Sequence, residues 1–185
     1  MKRAQFLMQS GFESIVEAVD PDWRNNPHLK DTPERAARAW FGEIFAGVTA
    51  EAPSITVFDH EGDSGMIVLN DIPVRSVCSH HLLPFVGTAS VGYTMINQLL
   101  GLSKLSRIVN HWARRPQVQE QLTNQVVNHL ESLGATGAGV VIKASHMCMS
   151  LRGVGHDGIM VTSALRGVFN EPEVRAEFLK LTGEC

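Results

Sequence analysis

The sequence predicts one α+β domain built on an antiparallel sheet, and three observations carry that prediction. Segments with helical spacing and short β-branched runs come in blocks, in the order helices, strands, helices, strands. Within a strand block the runs are joined by turn residues and not by helices, which favours antiparallel pairing over a parallel doubly wound sheet. The chain has 185 residues, 44% of them hydrophobic and 19% charged, the length and composition of one soluble globular domain with its own core. Residues 1–50 read as an N-terminal helical region and 51–185 as the main unit, with no repeat, low-complexity tract or linker.

The elements follow in order. Phe6, Leu7, Phe12, Ile15 and Val16 approach helical spacing, and Pro21 stops the helix. A second helix starts at Asp31-Thr32-Pro33-Glu34, with Asp31 as cap and Glu34 closing a capping box, carries Ala37, Trp40, Phe41, Ile44 and Phe45, and ends near Gly47. From Ser54 the runs ITVF, MIVL and IPVRSV, broken by Gly62, Gly65 and Pro73, read as strands, and FVGTASVGYTM as another. Gly101-Leu102-Ser103 opens a helix with Ser103 as cap and Leu105, Ile108, Val109 and Trp112 on one side, until Pro116 breaks it. Val118, Leu122, Val126, Leu130 and Leu133 then mark a helix over residues 117–133. GVVIKASHMCMS and IMVTSALRGVF are strands flanking the turn GVGHDG, before a short helix near Glu173 to Leu181.

Composition excludes several classes of function. Sixteen Lys and Arg against nineteen Asp and Glu leave a formal charge of -3, so no broad basic field exists for a nucleic-acid backbone or an anionic membrane, and an anionic ligand must be bound locally. No apolar run approaches the roughly 20 residues that span a bilayer. The stretch MKRAQFLMQSGFESIVEAVD carries acids where a secretion signal needs an unbroken apolar run, so a cytoplasmic protein is expected. Three cysteines cannot all pair within the chain, and in a reducing compartment they are free thiols or metal ligands.

Two clusters concentrate soft ligands: Cys78-Ser79-His80-His81, and His146-Met147-Cys148, whose cysteine lies 67 positions beyond His81. Sulfur and imidazole select a borderline-soft metal such as zinc. A turn at a strand end can aim Cys78 and His81 inward, and Cys148 could complete a three-ligand site with one position left for water. If residues 139–149 form a strand, its period of two puts His146 on the same face as Cys148, beside the metal without binding it, and His80 could flank it likewise. A second cluster gathers Ser103, Lys104 and Arg107 at a helix start, where free N–H groups and the dipole favour phosphate. Gln119 and Glu120 open the next helix, where a carboxylate could pair with two N–H donors of a ligand or merely suit the dipole. His28, His60, His111, His129, His156 and the terminal Cys185 receive no role.

Taken together the strings NPHLKDTPERAARAW, CSHHLLPFVG, GLSKLSRIV, RRPQVQEQLT, HMCMSLRGV, VTSALRGVF and RAEFL make the chain similar to the GTP cyclohydrolase I family over most of its length. The resemblance implies the tunnelling fold, an antiparallel sheet with two helices packed on one face plus extra N-terminal helices. It also implies assembly into a homodecamer of two pentamers with active sites between subunits. It implies zinc (Zn2+) on Cys78, His81 and Cys148, His80 and His146 as the catalytic pair, and triphosphate contacts from Ser103, Lys104, Arg107, Arg152 and Arg35. Gln119 and Glu120 match the guanine-side positions. The implied reaction opens the imidazole ring of GTP, releases formate and closes the ribose carbons into 7,8-dihydroneopterin triphosphate, the first step of pterin synthesis.

The chain departs from the family pattern at Ser79, where glutamate is usual, in the short turn GVGHDG, which lacks basic residues many relatives carry, and at YTMINQLLG, in place of a loop that often contains proline and lysine. Ser79 keeps open a homologue redirected to another purine nucleotide. A noncatalytic binding protein conflicts with the retained ligands, histidines and Glu120. A nitrile reductase conflicts with cysteines that already have metal-binding neighbours.

Overall fold

The computed structural model describes residues 2–183, so Cys185 lies outside the described residues. The chain opens with α1 (Lys2–Val19), α2 (Thr32–Ala39), a π-helical turn (Trp40–Ile44) and α3 (Ala46–Thr49). Strands β1 (Val57–Asp63), β2 (Ile67–Cys78), β3 (Pro84–Thr94) and β4 (Ile96–Leu100) follow, then α4 (Leu102–Ala113), the two-residue β5 (Pro116–Gln117) and α5 (Gln119–Ser132). The last third holds β6 (Gly137–His146), α6 (Met147–Ser150), β7 (Ile159–Gly167), a 3-10 turn (Val168–Asn170) and α7 (Pro172–Leu181). Five strands form one sheet in the order β5-β2-β3-β6-β7, antiparallel except where β5 runs beside β2, while β1 and β4 make a separate ribbon. The α+β expectation therefore holds. Among the described residues no helix is long and apolar enough to cross a membrane.

Strand alternation divides the core between two faces. Ala138, Val140, Ile142 and Ala144 of β6 share a buried cluster with Leu105, Ile108 and Val109 of α4 and with Leu122, Val126 and Leu130 of α5. Val141 points the other way, toward Phe169 and Phe178. Gly92 and Gly139 pair across β3 and β6, and a Cβ on either would come within 2.8 Å of the Phe178 or Phe169 ring, so the glycine pair is what seats these rings. Each fully buried phenylalanine contributes roughly 1.5–3 kcal/mol. Both large faces are thus occupied.

Several local expectations are corrected. The Asp31 side chain makes no cap hydrogen bond, and its carboxylate lies 3.9 Å from Arg35 instead; the helix begun there changes to the π-helical turn before reaching Gly47. Gly101, not Ser103, caps α4. MIVL and IPVRSV belong to one strand, because β2 absorbs an extra residue in a bulge: Leu69 faces Val91 and Ile72 faces Ala89, with Asp71 at φ 56° between them. Pro73 is tolerated because β2 has a neighbour on its other side only at Val77 and Cys78. The INQLL stretch, to which the sequence assigns no element, forms β4 and pairs with β1.

A polar cluster locks α4 to α5 and to α3. Trp112 Nε1 donates to His129 Nδ1 at 3.1 Å, and Arg115, stacked on Trp112 at 4.6 Å, donates to His111 Nε2 at 3.1 Å and to the Gly47 carbonyl. Indole and guanidinium only donate, so both imidazoles must present lone pairs and remain neutral. Burial pulls both histidines below their ordinary pKa, and for His111 the adjoining Arg115 guanidinium adds to the effect. For groups held neutral in this way, stability is fully present above the unfolded value of about 6.5 and is lost as pH falls toward the lower folded values. The melting temperature should therefore drop between pH 7.5 and 5.5. His129→Asn, whose amide oxygen can accept the indole proton without titrating, should show a smaller drop; an unchanged acid limb would remove His129 from this account.

Candidate active site and metal centre

One end of the sheet collects the soft ligands, and the backbone explains how. Between β2 and β3 the chain reverses over Ser79–Leu82: Leu82 N–H donates to Cys78 O at 2.8 Å and Cys78 N–H to Leu83 O at 2.9 Å, with Leu82 in the left-handed region at φ 52°. Ser79 N–H donates to Gln117 O at 2.9 Å, so β5 braces the turn from outside. On the next strand pair Phe85 lies opposite His146, which brings the end of β6 beside the turn. The strand stops at His146, and the helical turn α6 swings Cys148 inward. Cys148 thus joins the site through a helical turn, not through the strand period expected for residues 139–149.

As a result the ligand atoms of Cys78, His81 and Cys148 all lie within 4.8 Å of one another. Cys78 is buried, Cys148 half-buried and His81 exposed. Two sulfurs and one imidazole at this spacing suit a tetrahedral, borderline-soft ion with one position left over. Burial first, then the adjoining Cys78 thiol, push the Cys148 thiol above its ordinary pKa, with Arg152 acting in the opposite direction. Two thiols crowded like this become stable thiolates only against a cation, so the donor set fits a metal.

The flanking residues divide sharply. His146 stacks on Phe85 with ring centroids 4.6 Å apart and planes at 8°, and its Nε2 lies 2.7 Å from Gln119 Oε1. Burial lowers its pKa and favours the neutral imidazole, an effect that the nearby Glu120 carboxylate partly offsets. His80 is exposed on the turn, its Nδ1 3.8 Å from Cys78 Sγ. Arg152 donates to His81 Nε2 at 3.1 Å, and Glu120 is exposed at the start of α5.

Gln119 corrects an expectation. Its side chain is 1% exposed and turned into the sheet, so it presents no amide to a guanine edge. Lys104 differs as well: it is 8% exposed, and its Nζ donates to Ser54 O at 2.8 Å beneath the loop leading to β1, away from Ser103 and Arg107, which are exposed. Ser103 sits toward the far end of the sheet, and Arg107 lies halfway along α4. Leu100 N–H donates to Tyr93 Oη at 3.0 Å, and Tyr93 lies at the end of β3 opposite Phe85, so α4 begins there. Its 12 residues then run about 18 Å back toward β5. Arg35 sits on α2, where it donates to His28 O at 3.4 Å. Hence Cys78, His80, His81, His146, Cys148, Glu120 and Arg152 gather at one place, while Arg107 lines a separate pocket beside Gly47 and Asn110, and Arg35 bonds to His28 and Asp31 among the N-terminal helices.

His156, given no role from the sequence, is exposed in the turn between α6 and β7. Together with His146, Cys148 and Met160 it lines a cavity of about 340 Å³, and its imidazole lies so close over Gly158 that a Cβ there would meet Nε2 at 2.7 Å. The turn GVGHDG carried the signal, a histidine bracketed by glycines, but only the folded path shows which way the ring faces.

Comparison with known proteins places the chain in context. The family model described as GTP cyclohydrolase I matches residues 8–183. The GTP cyclohydrolase 1 of Pseudoalteromonas translucida is 42% identical over 179 residues, covering 94% of this chain and 96% of the relative. That of Thermoanaerobacter pseudethanolicus is 42% identical over 181 residues, 94% of each chain, and that of Streptomyces avermitilis 47% over 186 residues, 97% of this chain and 89% of the relative.

The donor set yields a direct expectation. The purified protein should bind one zinc or cobalt ion per chain, with cobalt giving the intense thiolate charge-transfer absorption of a two-sulfur site. Cys148→Ala should lose stoichiometric metal; a variant that keeps it would exclude Cys148 from the ligand set.

Proposed function

Since the chain belongs to the GTP cyclohydrolase I family, we propose that it converts GTP and water into formate and 7,8-dihydroneopterin triphosphate, the entry reaction of pterin and folate synthesis. The observation that supports this most is the meeting of Cys78, His81 and Cys148 within 4.8 Å beside His146 and Glu120. In the reaction water adds at C8, the imidazole ring opens, formate leaves, and the ribose carbons close on the freed amine.

Cys78, His81 and Cys148 would hold zinc, which would supply the Lewis acidity that makes water a nucleophile at neutral pH. The remaining work falls to side chains. His146, neutral and stacked on Phe85, accepts and returns a proton beside the ring that opens. His80, at the exposed lip, serves solvent exchange of protons. The Glu120 carboxylate accepts from the N–H groups on guanine's Watson–Crick edge, which adenine lacks, so the choice of purine rests on it. Arg152 meets the triphosphate on the metal side. Gln119 supports His146 and does not touch the base.

Ser103, Arg107 and Arg35 complete the triphosphate contacts from a neighbouring copy, with Lys104 bracing the loop under them. Two features support an assembly: β7 is an edge strand with Ile159 60% and Val161 54% exposed, and β2 is covered on its outer side only at Val77 and Cys78. The reading takes the tunnelling fold, in a decamer of two pentamers, working in the cytoplasm, where reduced thiolates persist.

Glu120→Ala should lower kcat/KM for GTP by roughly 10²-fold or more, the loss of two charge-assisted hydrogen bonds. Its melting temperature should hardly move, since a surface charge at a helix start is worth under about 1 kcal/mol. Unchanged kinetics with a large stability loss would make Glu120 structural. Shared sites are tested by mixing. Cys148→Ala and Arg107→Ala, each nearly inactive alone, should after subunit exchange recover roughly a quarter of wild-type activity, from random pairing at each junction. A mixture as inactive as its components would put each site within one chain.

A further inference from the structure

The buried amide of Gln119 dictates where the His146 proton sits. Its Nε2 lies 3.1 Å from Ile142 O, 3.1 Å from Met160 O and 3.1 Å from Thr162 Oγ1, and its Oε1 lies 2.7 Å from His146 Nε2. Two of those neighbours are backbone carbonyls, which only accept. The group facing them must therefore be the NH2, because the reversed amide would set its oxygen against two carbonyl oxygens in a buried site. Thr123 reinforces this orientation: its Oγ1 bonds to Gln119 O at 2.8 Å and meets Thr162 Oγ1 at 2.7 Å, tying the helix start to β7. With the amide held this way, only its oxygen is left to face His146.

We infer that Gln119 is a positioning residue that holds His146 as the Nε2–H tautomer, with the ring's lone pair on Nδ1. An acceptor oxygen 2.7 Å away requires a hydrogen on Nε2, which leaves the neutral ring's only lone pair on Nδ1. Phe85, stacked parallel at 4.6 Å, packs on one face of the ring, so exchanging its two nitrogens would require the ring to break this stacking. The Gln119 oxygen thus holds the Nε2 side of the ring, and Nδ1 is the side that Gln119 leaves unbonded.

This deepens the reading of His146 as the proton-transfer group and rests on it for its catalytic meaning, but the tautomer can be read without turnover. Histidine labelled with nitrogen-15, examined by nitrogen–proton correlation in the zinc-loaded protein without nucleotide at pH 8, should show His146 with a protonated, pyrrole-type Nε2 and an unprotonated Nδ1. Assignment comes from the His146→Asn spectrum. In Gln119→Leu the same signals should move to the averaged positions of a ring in tautomer exchange, and kcat should fall roughly 10-fold or more with KM for GTP little changed, as expected when a general acid–base group loses its orientation. A pyrrole-type Nδ1 or an averaged ring in the wild type would overturn the proposal whether or not the variant folds. So would a Gln119→Leu protein in which His146 keeps the Nε2–H pattern. If the tautomer is as stated but His146→Ala turns GTP over at the wild-type rate, the positioning stands and the catalytic role of His146 fails.

Discussion

The register of β3 against β6 is the constraint on which the site depends. Phe85 opposite His146 brings together two ligand clusters that lie 67 positions apart in the chain. A slip of one residue would turn His146 to the other face of the sheet and carry Cys148 away from Cys78. Gly87 helps to pin the alignment: it pairs with Ala144, and a Cβ there would meet the Lys143 carbonyl at 1.8 Å and Ala144 Cα at 2.6 Å. The strands can close at this point only if the smallest residue stands there. Farther along, the Gly92–Gly139 pair does the same for the rings of Phe169 and Phe178, so the catalytic register is stabilised by packing on the opposite face.

Around that register the site is built from groups that leave each other little choice. Gln119 answers two carbonyls and a hydroxyl with its NH2 and presents only oxygen to His146. The Ser79 backbone leans on β5, and the Gln117 side chain in β5 donates to Trp112 O and to Gln125 Oε1, each at 2.7 Å, linking the Ser79–Leu82 turn to both large helices. Ser76 adds a bond to Ala113 O at 2.6 Å. The reactive end of the molecule is therefore fastened to the helical layer by side-chain amides and hydroxyls, which keep their hydrogen-bonding character as pH changes.

Much of this was legible in residue order. Helical spacing located α1, α4 and α5, β-branched runs located β2, β3, β6 and β7, and sulfur with imidazole in two short clusters pointed to one metal centre. What residue order did not disclose are consequences of tertiary placement. Gln119 reads as a polar residue at a helix start, yet that start points into the sheet, and its amide is buried. Lys104 sits in a basic string with Ser103 and Arg107, but helical rotation turns it inward to Ser54 O. Cys148 shares a face with His146 only in a strand, and the chain becomes helical one residue after His146.

The central claim is that a metal held by Cys78, His81 and Cys148 lets this chain open the imidazole ring of GTP. GTP carrying carbon-13 at C8, given to the metal-loaded protein and to the same protein stripped by a chelator, tests it most directly. The account predicts that the label leaves as formate only with the loaded protein, and that restoring zinc restores the release. Equal formate release from the fully stripped protein, or label retained in the nucleotide product of the loaded protein, would contradict it.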